Sequence, residues 1–343
     1  MKAAIHHEFG SSDVLHIEDV PDPEMGHGDV LLRVRATAVN RLDVLQRQGP
    51  PLLPLFSLPH IAGMDVVGEI VDVGSSVTTR HRGERVVLNP ALPCGRCPEC
   101  QRGDDALCPH ARIVGGNRPG GYAEWVVVPA QHAHLLPDTI DDLSACALPT
   151  AYSTAWHALI KVGRLSIGET LLVHGAGSSV SLAALQIARH AGARVIVSGT
   201  SAAKLEVARG LGADTVLINT DPGFVDAVRG ANDGRGVDMV FDHVGPALFN
   251  ASLYCLRPRG RLVFCGTTTG NTATFDLPFA YHFGICLLGS DPYGYEEFEA
   301  MLAYCLAACF RAPLDSEFAL AEARGAQERM ENGNVIGKIV LRP

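Results

Sequence analysis

Between Thr170 and Gly289, short β-branched runs alternate with stretches of helical spacing, and this alternation narrows the fold more than any other feature of the chain. Thr170-Leu-Leu-Val-His is followed by a helical run through Ala183-Leu-Gln-Ile-Ala-Arg, and Arg194-Val-Ile-Val-Ser by Lys204-Leu-Glu-Val-Ala-Arg. Thr215-Val-Leu-Ile, Met239-Val-Phe-Asp, Arg261-Leu-Val-Phe-Cys and Ile285-Cys-Leu-Leu-Gly continue the strand series. Strands separated by crossover helices lie parallel, so the expected class is α/β with a doubly wound parallel sheet. Before about Ser144 the texture is different. Val30-Leu-Leu-Arg-Val-Arg-Ala, Val66-Val-Gly-Glu-Ile-Val-Asp-Val, Gly83-Glu-Arg-Val-Val-Leu and Tyr122-Ala-Glu-Trp-Val-Val-Val-Pro predict a β-rich region punctuated by Gly and Pro. The tail ends in Ile339-Val-Leu, a strand able to return to that region. A chain of 343 residues accommodates two domains. The expected division is 1–148, then 149–291, then a return over 292–343.

Cys94-Gly-Arg-Cys97-Pro-Glu-Cys100, closed by Cys108, sets four thiols at a spacing that wraps one tetrahedral Zn²⁺. Four thiolates leave no position for water, so such a site pins a lobe (about residues 90–112) and performs no chemistry. The alternatives are a chance cluster of reduced cysteines or a pair of disulfides, but the spacing is specific and nothing else in the chain suggests secretion. Glu8 interrupts the stretch where a signal peptide needs its apolar core, and no run approaches a membrane span. Cys146, Cys255, Cys265, Cys286, Cys305 and Cys309 stand singly in apolar sequence, as buried thiols do. The formal net charge of −9 argues against nucleic acid or an anionic membrane as partner. A soluble, cytoplasmic protein acting on a small molecule is expected.

Val173-His-Gly175-Ala-Gly177-Ser178-Ser179-Val180-Ser181 falls between the first strand run and its helix, where a dinucleotide pyrophosphate rests on helix N-terminal amides. Gly175 and Gly177 permit a tight turn and close phosphate approach. The third glycine of the usual pattern is replaced by Ser181, in a turn one residue longer. Gly266, after the fifth strand run, is expected to join this cofactor set. The second strand run ends in Ser198-Gly199-Thr200-Ser201-Ala-Ala-Lys204, without the carboxylate that NAD sites place there for the ribose. Gly199 leaves room, and Ser201 and Lys204 offer donors and charge to a 2′-phosphate, so NADP(H) is expected over NAD(H).

Together these pieces make the chain similar to the medium-chain dehydrogenase/reductase superfamily over essentially its whole length. The resemblance is carried by the cysteine lobe, Gly63-Met-Asp65-Val-Val-Gly68 with Val73-Gly74, and Gly120-Gly-Tyr122-Ala-Glu124. Thr154-Ala-Trp, Leu211-Gly-Ala-Asp214, Gly236-Val-Asp-Met-Val-Phe-Asp242 and Gly337-Lys338-Ile-Val-Leu complete it. It implies a GroES-like catalytic domain split around a Rossmann domain, with the active site in the cleft between them and Lys338 near the pyrophosphate. The zinc alcohol dehydrogenases of this superfamily hold a catalytic zinc there. Motif alignment sets Asn40, Met64 and Thr150 at those ligand positions, and Leu42 and Leu45 where the proton relay stands. An amide, a thioether and a hydroxyl hold Zn²⁺ poorly. At these positions the chain resembles the zinc-free quinone oxidoreductase and enoyl reductase branch, most of whose members lack the cysteine lobe.

One structural zinc per chain and no catalytic zinc are therefore expected. An activated C=C or a quinone can accept hydride without a metal, because its charge spreads onto an oxygen that a few donors can hold. Asn40 is the candidate donor, Tyr152 the candidate proton source, and Asp43 the candidate orienting group. The leading expectation is an NADPH-dependent enone or quinone reductase. The alternatives are an alcohol or aldehyde dehydrogenase using side-chain acid catalysis and a non-catalytic NADPH-binding protein. Ile285-Cys-Leu-Leu-Gly289, apolar and without a protecting charge, is expected at a sheet edge that pairs across a homodimer or within a homotetramer.

Overall fold

The computed structural model describes every residue except Pro292, the residue on which the expected return to the first domain begins. The described residues separate into two compact units. The first comprises Met1–Thr150, Gly294–Leu306 and Arg311–Pro343, and the second Ala151–Tyr293 and Ala307–Phe310. No helix among the described residues is long and apolar enough to cross a membrane.

A seven-stranded sheet forms the centre of the first unit. Its path runs Ala133–Leu135, Arg85–Leu88, Asp65–Val73, Asp29–Val39, Lys338–Arg342 and Leu314–Ala319, while Trp125–Pro129 pairs along Asp29–Val39 as well. Alternation in Asp29–Val39 sends Val30, Leu32 and Val34 into a buried cluster with Val66, Ile70 and Leu88. Register then decides what gathers at the end of the sheet. Ala38 pairs with Asp65 on one side and with Val340 on the other, and Val39 pairs with Ile339. Asn40, Asp65 and Lys338 consequently stand side by side, though they come from three distant parts of the sequence. Gly337 admits the last strand. Its φ is +87°, and a Cβ there would lie 2.0 Å from the Pro313 carbonyl oxygen.

The second unit is a six-stranded parallel sheet built from β1 (Thr170–His174), β2 (Arg194–Gly199), β3 (Thr215–Ile218), β4 (Val237–Asp242), β5 (Leu256–Phe264) and β6 (Cys286–Gly289). Helix α1 (Ser179–His190) follows β1, and helix α2 (Ala202–Gly210) follows β2. The strand order is 3-2-1-4-5-6, so the winding reverses between β1 and β4. Such a reversal opens a crevice at the carboxyl ends of these two strands, where dinucleotides bind. β6 forms the edge and pairs only with β5 among the described strands. A helix rich in apolar residues runs from Tyr295 to Ala307. Cys309, at φ +53°, takes a left-handed conformation that a helix cannot contain.

Four histidines in these cores set an acid limit on stability. Burial pushes His6, His132 and His134 down to about 4, and His174 down to about 3. A depressed histidine stabilises the fold above its unfolded value near 6.5, and that stabilisation is lost as pH falls toward the folded value. Asp43 works in the opposite direction, because burial raises it to about 7 and so favours the fold at low pH. His60 and His243 are lowered as well and Asp242 is raised beside Asp43, so the depressed histidines outnumber the raised carboxylates. The melting temperature is expected to fall continuously from pH 6.5 to pH 4 in a thermal scan series, and a flat profile over that window would contradict it.

Candidate functional site

The cysteine lobe is a hairpin excursion closed at its base by the strand pair Ala91–Leu92 and Arg112–Ile113. Pro98 starts a single helical turn over Pro98–Gln101 behind Cys97, and Gly95 and Gly103 adopt φ of +69° and +79° to turn the chain between ligands. The sulfurs of Cys94, Cys97, Cys100 and Cys108 all lie within 4.8 Å of one another. Cys97 Sγ is 3.5 Å from Cys100 Sγ and 3.8 Å from Cys108 Sγ, and Cys94 Sγ is 4.0 Å from Cys100 Sγ. Tetrahedral Zn–S bonds of about 2.3 Å put neighbouring sulfurs about 3.8 Å apart, so the four thiols fit zinc. Among the described residues this is the one cluster of three or more His, Cys, Asp or Glu side chains arranged to hold a metal.

A second cluster fills the end of the first unit's sheet. Lys338, 1% exposed, donates from Nζ to Asp65 Oδ2 at 2.5 Å and to Asn40 Oδ1 at 2.5 Å. Asn40 Nδ2 donates to the same Asp65 oxygen at 3.0 Å. The other carboxylate oxygen, Oδ1, accepts from the Thr150 backbone N–H at 2.7 Å and from its hydroxyl at 2.6 Å. A buried carboxylate thus meets four donors, one of them an ammonium, as burial of charge requires. Asp43 lies just behind. It ends the first turn of helix Arg41–Gln48, and its Oδ2 accepts from the Asn40 N–H at 2.8 Å and the Tyr122 hydroxyl at 3.1 Å. Burial raises Asp43 to about 7 against the pull of these two donors.

The three catalytic candidates therefore separate. Asn40 is in the cluster, but its amide is held inward by Lys338 and Asp65 rather than presented as an unengaged donor. Asp43 is buried and serves to hold the start of its helix. Tyr152 is buried in helix Pro149–Trp156, where its hydroxyl accepts from Gln186 Nε2 at 2.7 Å, so it packs against α1 instead of standing exposed as a proton source. Lys338, expected at the pyrophosphate, has its ammonium engaged by Asp65 and Asn40. Asp65 is the central residue that sequence reasoning left without a role. The Gly63-Met-Asp65 motif was the available signal, since a lone carboxylate in an apolar strand needs a buried cation.

In the second unit, Gly175 at φ +81° makes the turn after β1, and Ser178 takes the N-cap position of α1, with Gly177 buried and Ser179 and Val180 half-buried beside it. Gly199 closes β2 against this turn, for a Cβ there would come within 2.9 Å of Ala176 Cβ. Ser201 takes the N-cap position of α2, yet its side chain makes no capping bond. Lys204 lies in the first turn of α2, half-buried. Gly266 follows β5, and a Cβ there would lie 2.5 Å from the His243 carbonyl oxygen. The turn, the helix N-terminus and the strand reversal together fit a dinucleotide.

Comparison with known proteins agrees with both units. The alcohol dehydrogenase GroES-like domain matches residues 26–138, and the zinc-binding dehydrogenase domain matches residues 179–307. The L-threonine 3-dehydrogenase of Escherichia fergusonii is 31% identical over 94% of both chains. The NAD-dependent alcohol dehydrogenase of Sulfolobus acidocaldarius is 30% identical over 100% of this chain and 99% of its own. A solved structure of an NAD-dependent alcohol dehydrogenase aligns at a TM-score of 0.95 and 34% identity, covering 100% of both chains.

Proposed function

The chain belongs to the medium-chain dehydrogenase/reductase superfamily as a zinc-type alcohol dehydrogenase-like oxidoreductase, and from that premise we propose that it reduces an enone or quinone without a catalytic metal. One observation carries the reading. Asn40, Met64 and Thr150 stand where the motif resemblance puts catalytic zinc ligands, and the Lys338 ammonium is bound to Asn40 and to the neighbouring Asp65. A fixed ammonium repels a second cation, and its bonded partners, an amide oxygen and a carboxylate, include neither the imidazole nor the thiolate that zinc selects.

The nicotinamide cofactor of this family supplies the hydride. The chain contributes binding and charge. The turn after β1 and the N-terminus of α1 hold the pyrophosphate, and Lys338 and Asp65 fix Asn40 in one orientation. The Lys338 charge on Oδ1 polarises the Asn40 amide, and Thr150 remains half-buried at the margin of the cluster. Asn40 Nδ2 gives one hydrogen to Asp65 and holds the other only at 3.5 Å from the Ala38 carbonyl, and that second hydrogen can meet oxygen charge on a conjugated carbonyl. A second reading, an alcohol dehydrogenase that uses side-chain acid catalysis, is favoured by the names of the relatives. Oxidation of NADPH by enones and quinones, measured beside reduction of NAD(P)⁺ by secondary alcohols and L-threonine, separates the two. Turnover with enones or quinones and about one zinc per chain is expected. Alcohol oxidation alone with two zincs per chain refutes the leading reading, and inactivity toward the whole panel leaves a dinucleotide-binding protein.

NADP(H) is the proposed partner, since the end of β2 carries Ser201 and Lys204 in place of an acid. The relatives named for NAD make this a sharp test. Lys204→Ala is expected to weaken NADPH by roughly 1.5–3 kcal/mol, one charge-assisted phosphate contact, and NADH much less. Equal loss for both cofactors in a binding titration would refute the assignment.

A homodimer, or a homotetramer made of dimers, is proposed through the β6 edge, where Cys286 is exposed and Leu287 and Leu288 are half-buried. Light scattering should give a mass of at least two chains, and Leu287→Arg should give one. A single-chain mass for the unaltered protein would remove the proposal.

A further inference from the structure

His243 is the first residue beyond β4, at the carboxyl end of the strand beside β1, so it stands where the sheet order reverses. Two glycines of the cofactor set bracket it. A Cβ at Gly175 would lie 3.0 Å from His243 Cε1 and 3.1 Å from Nε2, and a Cβ at Gly266 would lie 2.9 Å from His243 Cβ. The imidazole therefore occupies the space that the missing side chain of Gly175 leaves in the turn.

Hydrogen bonds fix the ring. Ser181 Oγ donates its only proton to the His174 carbonyl at 2.6 Å, so at 2.6 Å from His243 Nε2 it must accept. Nε2 is the donor. Burial keeps His243 below the usual imidazole range, which agrees with one proton on the ring. The backbone is held as firmly. Asp242 Oδ1 accepts from the Val244 and Gly245 N–H groups at 2.7 and 3.0 Å, and the Thr268 hydroxyl donates to the His243 carbonyl at 2.9 Å. Under Ser181, His174 continues the chain of polar contacts. Ser252 Oγ donates to the Leu248 carbonyl and so accepts from His174 Nε2 at 2.9 Å, while Ser198 Oγ donates to Nδ1 at 2.6 Å. Ser198 belongs to β2 and Ser252 to the helix after β4, which ties the turn to β2 on one side and to that helix on the other.

We propose that His243 is a positioning residue of the dinucleotide site, acting through Ser181 and Gly175 to hold the turn in the form that receives pyrophosphate. The missing third glycine explains why the chain needs the pair. A glycine lets helix and strand approach closely. A serine adds bulk and a hydroxyl, which the His174 carbonyl and the His243 ring absorb. The inference rests on nicotinamide-dinucleotide binding at this turn. It concerns the pyrophosphate, which NADH and NADPH share, and so predicts equal effects on both.

Binding of NADH and NADPH, followed by their fluorescence, tests it in three variants. His243→Phe keeps a ring without a donor, His243→Gln keeps an N–H at similar reach, and Ser181→Ala removes the acceptor. His243→Phe and Ser181→Ala should each weaken both cofactors about tenfold, one hydrogen bond's worth, with no further loss when combined. His243→Gln should recover affinity to within about twofold of the unaltered chain. Unchanged affinity in Ser181→Ala, or a loss in His243→Gln as large as in His243→Phe, overturns the inference. Should His243→Phe fail to fold, the other two variants decide by the same criteria. An unaltered chain that binds neither dinucleotide overturns the cofactor reading itself, whereas normal binding with silent variants overturns this inference alone.

Discussion

Cys97→Ser is expected to empty the lobe of zinc, lowering the metal content from about one per chain to near zero, and to unfold the lobe locally. Little else holds it. Its secondary structure is one helical turn, Pro98–Gln101, a short turn over Asp105–Leu107 and a two-residue strand pair, and Leu107 is exposed instead of packed. With so little apolar burial, metal–sulfur bonds are expected to supply most of the lobe's stability. The consequence travels beyond the lobe. Asp105 Oδ2 accepts from the Tyr295 N–H at 2.9 Å, at the start of helix Tyr295–Ala307. Losing that acceptor costs the helix about 1 kcal/mol in addition to the lobe's own loss. A fall in melting temperature of roughly 5–15 °C should accompany new trypsin cleavage at Arg96 and Arg102. A variant that keeps its zinc, or that loses zinc and stays resistant to trypsin, would show that the thiols do not form the assumed site.

Legibility in the sequence followed the range of the interactions. The clustering of the four cysteines was readable because they fall within one short segment whose spacing is itself the geometry. The parallel sheet was readable for a similar reason, since each strand and its helix write their periods locally: β1, β2 and β3 fall where their β-branched runs stand. The polar cluster was not. Lys338 and Asp65 are 273 residues apart, and only the register of Asp29–Val39 with its two neighbours brings them together. The burial of Tyr152 and Asp43 was not legible, because no local pattern encodes the depth of a helix face. His243 escaped notice because its significance lies in where the strand order reverses. That is a property of the assembled sheet.

Lys338→Met is expected to be the most damaging single change in the first unit, costing about 3–5 kcal/mol, because it removes the cation and leaves the Asp65 carboxylate charged and buried. Thr150 and Asn40 would still donate to Asp65, yet neutral donors replace only part of an ammonium's stabilisation. The cost should shrink sharply in the double variant Lys338→Met with Asp65→Leu, since removing both charges also removes the need to desolvate them. Denaturant unfolding of the single and double variants measures the difference. If the ion pair also orients Asn40 for hydride transfer, the double variant should refold well and still turn over poorly, a split between stability and activity that loss of packing alone does not produce. A double variant as active as the unaltered chain would leave the pair with a structural role only, and the metal-free reading would lose the observation that carries it.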